Sequence, residues 1–520
     1  MLMLAVGLAV LMAALPTNDA AGEEMPTLRL ESANLGYPSP FTHYPRQRGY
    51  IMKLLFDSLL EIDEEGYIPW LAEDWTISEQ GTEHRIRIRD NVRWHDGRDL
   101  TARDVAFSLR YFQEHPPVFI DDQVADPDFL YDVEVLSGQE LLLRTREASA
   151  TFQAEAGRVR IIPEHIWQDV DDPYAWTEPE AVIGSGPYQL DSYDSRHHSY
   201  RLTAFADFWG PAQRAGAIEL VPVSDSIAAF QQGSIDLARI SPDLVQRFES
   251  DPEVSIEESP ALAGLLLSFN MEGSGILQDV RFRRAVAYAI DQEDLIAKIA
   301  RGTAKPGSAG ILPFDHPQNN PDVVQYDHDP VRAQELLQEL AFDHSRQFEL
   351  LTGEGSQVRL AELLRSQLAD VGIDLSIRAV DDRTRDSLVM EGNYQLALAA
   401  WGSWGQDPDY LRLRYGNGGD GDAQRSMGTA LAGRGYSNPE FNRLAAEQLV
   451  ETDPARRREL IDAMQDILAA DVPEIPLYNS FHIFVHRPDH YDGWTFMYYH
   501  PVLHHSKLSY LVRGERPAWE

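Results

Sequence analysis

The chain has 520 residues, 43% of them hydrophobic and 25% charged, which excludes a single small core and sets an expectation of two or three globular domains. Its 83 acidic residues against 45 lysines and arginines leave a formal charge of −38, which excludes nucleic acid as a partner because no basic stripe offsets the acidic field. Cysteine is absent, so there is no disulfide framework, no thiolate metal site and no cysteine nucleophile.

Met1 to Leu15 form an apolar run ended by Pro16. At about 15 residues it is shorter than the ~20 a membrane-spanning helix needs. It is read as a secretory signal over residues 1–22, with the mature chain starting between Ala20 and Glu24. With no cysteine to carry a lipid, the mature chain is expected to be free in the periplasm. A short strand, LRLES, and a Pro- and Tyr-rich loop follow. Ile51, Leu54, Leu55 and Leu59 then recur at helical spacing, and Ile86 and Ile88 alternate as in a half-buried strand. Thr101 and Asp104 have the spacing of a capping box for a helix running through Tyr111. Gly184-Ser-Gly-Pro-Tyr is a tight turn rather than a phosphate cradle, because proline and a strand follow where a helix would have to open.

Beyond residue 265 the pattern becomes βαβ-like. Asp279 and Asp291 stand at N-cap positions, and the nearby arginines are expected on an exposed face. Phe348 to Leu351 read as a strand, Val358 to Val371 as a helix stopped by Gly372, and Ile373 to Ile377 as a strand. Ser437 before Pro439, and Asp453 before Pro454, announce two further helices. Paired acids such as Asp121/Asp122 belong to a solvated surface, and no G-x-S-x-G, H-E-x-x-H or P-loop pattern points to catalysis. Six histidines crowd the C-terminus (His482, His486, His490, His500, His504, His505), but a spacing of four along a strand holds His482 and His486 about 13 Å apart, so no metal site is assigned.

Several of these segments together resemble the family 5 extracellular solute-binding proteins. They are Pro69, Leu71, Ala72 and Trp75; Val92, Trp94, His95, Asp96, Gly97, Thr101, Ala102, Asp104, Val105, Phe107 and Ser108; the GSGPY and ADFWG elements; Phe269 to Asp291; and DPARRRELIDAMQDILAADVPEIPLY. The resemblance implies an α/β, three-domain periplasmic-binding-protein clamshell of the class II type, with mixed sheets and a hinge between two lobes. Lobe I would comprise 23–58, 183–268 and 481–520, the family's extra domain 59–182, and lobe II 269–480. It also implies a monomeric periplasmic receptor, with no cofactor and no catalysis, that delivers an oligopeptide or peptide-like solute to the inner-membrane permease subunits of an ABC importer. A nickel-chelate or oligosaccharide carrier is the alternative within the family, and an extracytoplasmic hydrolase the remote one outside it.

The segment Gln395 to Leu411 resembles the family's cleft motif, with Trp401, Asp407 and Pro408 at matching positions. Ligand contacts are expected from Trp401, Gly402, Trp404 and Asp407, and from Phe41, His43, Tyr44 and Tyr478. Peptide-binding members place an aspartate where this chain has Trp404. An indole stacks on rings and sugars but cannot supply the full charge that a desolvated ammonium needs.

The acidic surface also sets an expectation for salt. Repulsion among exposed carboxylates is screened within ~10 Å at 0.1 M salt and ~3 Å at 1 M. The thermal midpoint should therefore rise between those concentrations of NaCl. A midpoint that stays flat or falls would show that the charge is not a stability determinant.

Overall fold

Two large mixed sheets and one smaller antiparallel sheet account for most of the strands. The computed structural model describes residues 25–32, 35–42, 50–116, 130–273, 275–401, 407–416, 434–498 and 500–515. The first sheet has the spatial order Ser255–Glu258, Ile483–His486, Leu237–Ile240, Thr27–Glu31, Ala217–Val221, Ser199–Ala204, Tyr188–Asp194. The second runs Ala304–Pro306, Glu474–Ser480, Ala263–Phe269, Leu396–Trp401, Gln347–Thr352, Asp374–Ala379. The third, antiparallel throughout, runs Ala72–Ile77, Glu83–Ile88, Glu140–Thr145, Leu130–Val135. Among the described residues no helix is long and apolar enough to cross a membrane.

Residues 263–268, grouped by the sequence with the first lobe, form a strand inside the second sheet. Ala263–Phe269 is hydrogen-bonded on one side to Leu396–Trp401 and on the other to Glu474–Ser480. Its last four residues are all buried, as in a strand covered on both faces.

The cores divide the molecule more sharply than the sheets do. One continuous apolar cluster runs from Leu28, Leu30 and Leu220 of the first sheet, through Leu54, Leu55 and Phe56, to Ile86 and Leu143 of the four-stranded sheet. Residues from 266 to 478 build two clusters of their own, one around Phe282 and Phe348 and the other around Leu411 and Phe441.

The sequence motifs act as joints within the first of these bodies. His95 donates from Nε2 to the Gly186 carbonyl (3.0 Å) and accepts at Nδ1 from the Gly184 N–H (3.2 Å). Those two bonds require the neutral ring, and burial accordingly lowers its pKa. A Cβ on Gly184 would stand 1.9 Å from the Leu55 carbonyl oxygen, so only glycine lets the turn approach that backbone. Beneath it Lys507, wholly buried, reaches Asp57 at 2.7 Å and Glu61 at 3.1 Å. Asp57 also accepts from the Trp70 and Trp209 indoles and from Ser185. Burial alone would raise the Glu61 carboxyl, but Lys507, Arg160 and Lys53 pull its pKa below the usual range.

The capping expectations hold, with two corrections. The Thr101 N–H donates to Asp104 at 2.8 Å, and Asp279, Asp291 and Asp453 each accept a first-turn N–H. At Pro439–Val450, however, the cap is Asn438 rather than Ser437; its side chain accepts from Glu440 and Phe441. Arg283 is buried rather than exposed. Its guanidinium donates to the Asp471 and Val472 carbonyls, closing the unsatisfied end of helix Pro454–Asp471.

His84 has 1% of its surface exposed; its Nδ1 accepts from the Trp75 indole, and its ring lies 4.6 Å from that of Phe152. Burial lowers its pKa to about 4. A depressed folded-state value contributes stability above the unfolded pKa near 6.5, lost as pH falls through 4. The wild-type protein should lose about 3 kcal/mol from this group between those limits. His84→Gln should show a correspondingly shallower dependence in urea unfolding, and parallel slopes would refute the assignment.

Candidate functional site

The two sheets are joined by two adjacent crossings of the chain. Ser255–Glu258 and Ile483–His486 pair antiparallel in the first sheet, and Ala263–Phe269 and Glu474–Ser480 pair antiparallel in the second. Between them, 259–262 and 481–482 pass side by side. The Ser259 N–H donates to the His482 carbonyl, and the His482 N–H to the Ser259 hydroxyl oxygen, both at 2.9 Å. Asp315, held by Lys305, accepts the Ala261 N–H at 2.9 Å. Paired strands on either side and short linkers between them make a two-stranded hinge, in which small backbone rotations are absorbed.

Register fixes what faces the crevice beside this hinge. Thr27–Glu31 runs parallel to Ala217–Val221 and to Leu237–Ile240, and Ser255–Glu258 shares that direction because both it and Leu237–Ile240 are antiparallel to Ile483–His486. Since Glu258 leads into the hinge, the carboxyl ends Glu31, Val221 and Ile240 point to the same edge. In the second sheet Gly264, just past the hinge, pairs with Trp401, so the carboxyl end of Leu396–Trp401 also opens there. Gln347–Thr352 and Asp374–Ala379 run parallel to it and add Thr352 and Ala379. Ligands of open α/β sheets bind in the crevice outside strand carboxyl ends. Glu31 and Glu258, both exposed, are cleft-edge carboxylates that sequence reasoning passed over, since parallel register leaves no local signal.

The expected site residues fall into three groups. His43, Tyr44, Gly402 and Trp404 lie outside the described residues, as does the side chain of Trp401, whose backbone ends its strand at the crevice. Phe41 and Tyr478 are core residues. Phe41 is 1% exposed among the rings of Tyr111, Phe112, Trp167 and Tyr174. Tyr478 is 3% exposed in the cluster around Phe282 and Phe348, and burial pushes its pKa up to about 12.

Asp407 is already committed by side chains of its own body. Arg457 donates to both of its oxygens at 2.9 and 2.6 Å, and the Asp409 N–H donates to one of them at 2.8 Å. Asp409 in turn accepts from Arg412 at 2.7 Å on each oxygen and from Gln448. Neither carboxylate is left to balance a charge on a solute. Among the described residues no group of three His, Asp or Glu side chains is arranged to hold a metal ion. His486 instead meets the Tyr491 carbonyl, and His505 meets His500 at 3.3 Å.

Comparison with known proteins gives this geometry a context. The family model of bacterial extracellular solute-binding proteins, family 5 Middle, matches residues 66–422. Heme-binding protein A of Haemophilus influenzae is 24% identical over 446 residues, covering 79% of each chain. The peptide transport periplasmic protein SapA of Salmonella typhimurium is 25% identical over 473 residues, 84% of this chain and 83% of its own. NikA from Brucella suis, solved in complex with Fe(III)-EDTA, shares the fold with a TM-score of 0.77 and 21% identity, covering 94% of this chain and 100% of its own.

Removing Asp407 takes away the carboxylate paired with Arg457, which is 15% exposed and keeps only its bonds to Gln448 among those described. Asp407→Ala should cost about 1.5–3 kcal/mol in urea unfolding, the range for hydrogen bonds to charged groups. If Asp407 served the solute instead, the midpoint would stay put while affinity fell.

Proposed function

Because the chain belongs to the family 5 bacterial extracellular solute-binding proteins, which bind and carry solutes rather than convert them, we propose that it is the periplasmic receptor of an ABC importer for an oligopeptide or peptide-like solute. The observation that carries the reading is the paired crossing between two bodies with separate cores, with strand carboxyl ends from both sheets opening at its edge. Rotation about that hinge closes the bodies over a solute, and the closed form docks on the permease. Residues 23–58, 183–262 and 481–520 form the first lobe, 59–182 the extra domain riding on it, and 263–480 the second lobe. The chain acts as a monomer, secreted by the signal over 1–22.

SapA, named for peptide transport, supports a peptide-like solute. Peptides are held in such crevices by main-chain hydrogen bonds that extend a sheet, which strand ends are suited to provide. With Asp407 and Asp409 engaged by arginines and Trp404 at the usual acidic position, recognition of a free α-ammonium does not come from this loop. Trp401 and Trp404 stack on the solute instead, which favours solutes with rings, flat groups or a blocked amino end. The same tryptophans suit a planar chelate, and heme-binding protein A and the Fe(III)-EDTA complex of NikA make a metal-chelate solute the second reading.

Native mass spectrometry of freshly purified protein, followed by denaturation, identifies what it carries. A ladder of peptide masses is the expected result; a single porphyrin or metal-chelate mass would replace the peptide reading by the second one. Trp404→Ala should then weaken binding of the released solute at least tenfold, ~1.4 kcal/mol by titration calorimetry. Unchanged affinity would remove Trp404 from the site.

A further inference from the structure

Among the described residues the two bodies also meet away from the hinge, at the Arg301–Asp243 ion pair (3.5 Å) and where the extra domain meets the second lobe. The Ala150 N–H donates to the Leu449 carbonyl at 2.7 Å, a backbone bond between a loop of the first body and helix Pro439–Val450 of the second. Beside it a Cβ built on Gly81 would lie 2.8 Å from the Ala148 Cβ and 3.5 Å from the Thr452 methyl, so three chain segments converge with no room for a side chain at Gly81. One turn further on, Glu155 of helix Phe152–Arg158 is near enough to the second lobe to be attracted by Arg412 and repelled by Asp409 and Asp407.

The placement gives this contact a mechanical meaning. The hinge strands lie at one edge of the seven-stranded sheet, and Tyr188–Asp194, against which the helix Tyr50–Leu55 packs, lies at the other. The extra domain shares its core with that helix and with the first sheet, so it moves with the first lobe. Arg457 donates both to Asp407 and to Gln448, which joins the start of helix Pro454–Asp471 to helix Pro439–Val450. The contact therefore links the two helices that hold Asp407 to the opposite lobe.

We propose that the loop Ala148–Thr151 is a latch that locks the second lobe to the extra domain when the cleft closes. It grips the Leu449–Thr452 end of helix Pro439–Val450 and so slows reopening, independently of the contacts a solute makes. The proposal rests on the lobe-closure reading above.

The absence of native cysteine makes the test clean. A backbone bond of this kind brings the two Cα atoms to roughly the 5–6 Å that a disulfide spans. Ala150→Cys combined with Leu449→Cys should form an intramolecular disulfide under mild oxidation, read by thiol titration and non-reducing gel mobility. Adding Thr452→Trp, an exposed position beside the contact, should wedge the latch and slow that reaction about tenfold at an unchanged thermal midpoint. A folded double-cysteine protein that keeps both thiols free would overturn the proposal, as would a rate indifferent to Thr452→Trp. Both readouts are taken on freshly purified protein with the solute it carries, and solute capture is read separately by native mass spectrometry, so their failure leaves the transport reading in place. Failure to find any carried solute would leave the latch result standing.

Discussion

Only two short passes of chain, 259–262 and 481–482, join the two large sheets, and they lie against each other. Their mutual hydrogen bonds between Ser259 and His482 limit relative motion to rotation about the paired crossing. Because the cores on either side share no apolar cluster, that rotation breaks little hydrophobic packing. The crevice, the strand ends that line it and the contact on its far side all follow from where the hinge is placed.

The rest of the charge chemistry keeps each body rigid while the surface stays acidic. Arg414 and Glu474 are both wholly buried, and Glu474 also accepts from Tyr415 and Ser268. Lys507 sits in a comparable cage of Asp57 and Glu61. Desolvating such ions costs several kcal/mol each, offset only when hydrogen bonds are nearly complete, as they are around Glu474 and Asp57. Among the described residues only Arg160, Arg283, Arg414 and Lys507 are buried cations, so few of the 45 lysines and arginines are withdrawn from the acidic surface.

Local features were legible in the sequence because local physics determines them. Asp279, Asp291 and Asp453 cap helices for the reason any short acidic side chain does, and Gly372, with φ +84°, ends the helix Ser356–Asp370 where the pattern stops. The family-like segments could be recognised, but not why they travel together; the answer is His95 bonding the 184–186 turn some ninety residues away. Long-range pairing was illegible for the same reason. Nothing in residues 263–268 announces which sheet they join, and a buried ring such as Phe41 has the same composition as a cleft ring. Asp407 matched a cleft motif by position, yet the arginine that claims it lies fifty residues downstream. Arg283 was misplaced because arginine defaults to the surface unless unsatisfied carbonyls, here those ending the helix Pro454–Asp471, draw it inward.

A solute draws two rigid bodies together about one hinge. Small-angle X-ray scattering on protein stripped of its carried solute and refolded, before and after the released solute is returned, follows that motion. A fall in radius of gyration on return, with unchanged secondary structure by circular dichroism, is the predicted result. Binding of the solute with no change in radius of gyration would contradict closure and leave a receptor that captures without moving.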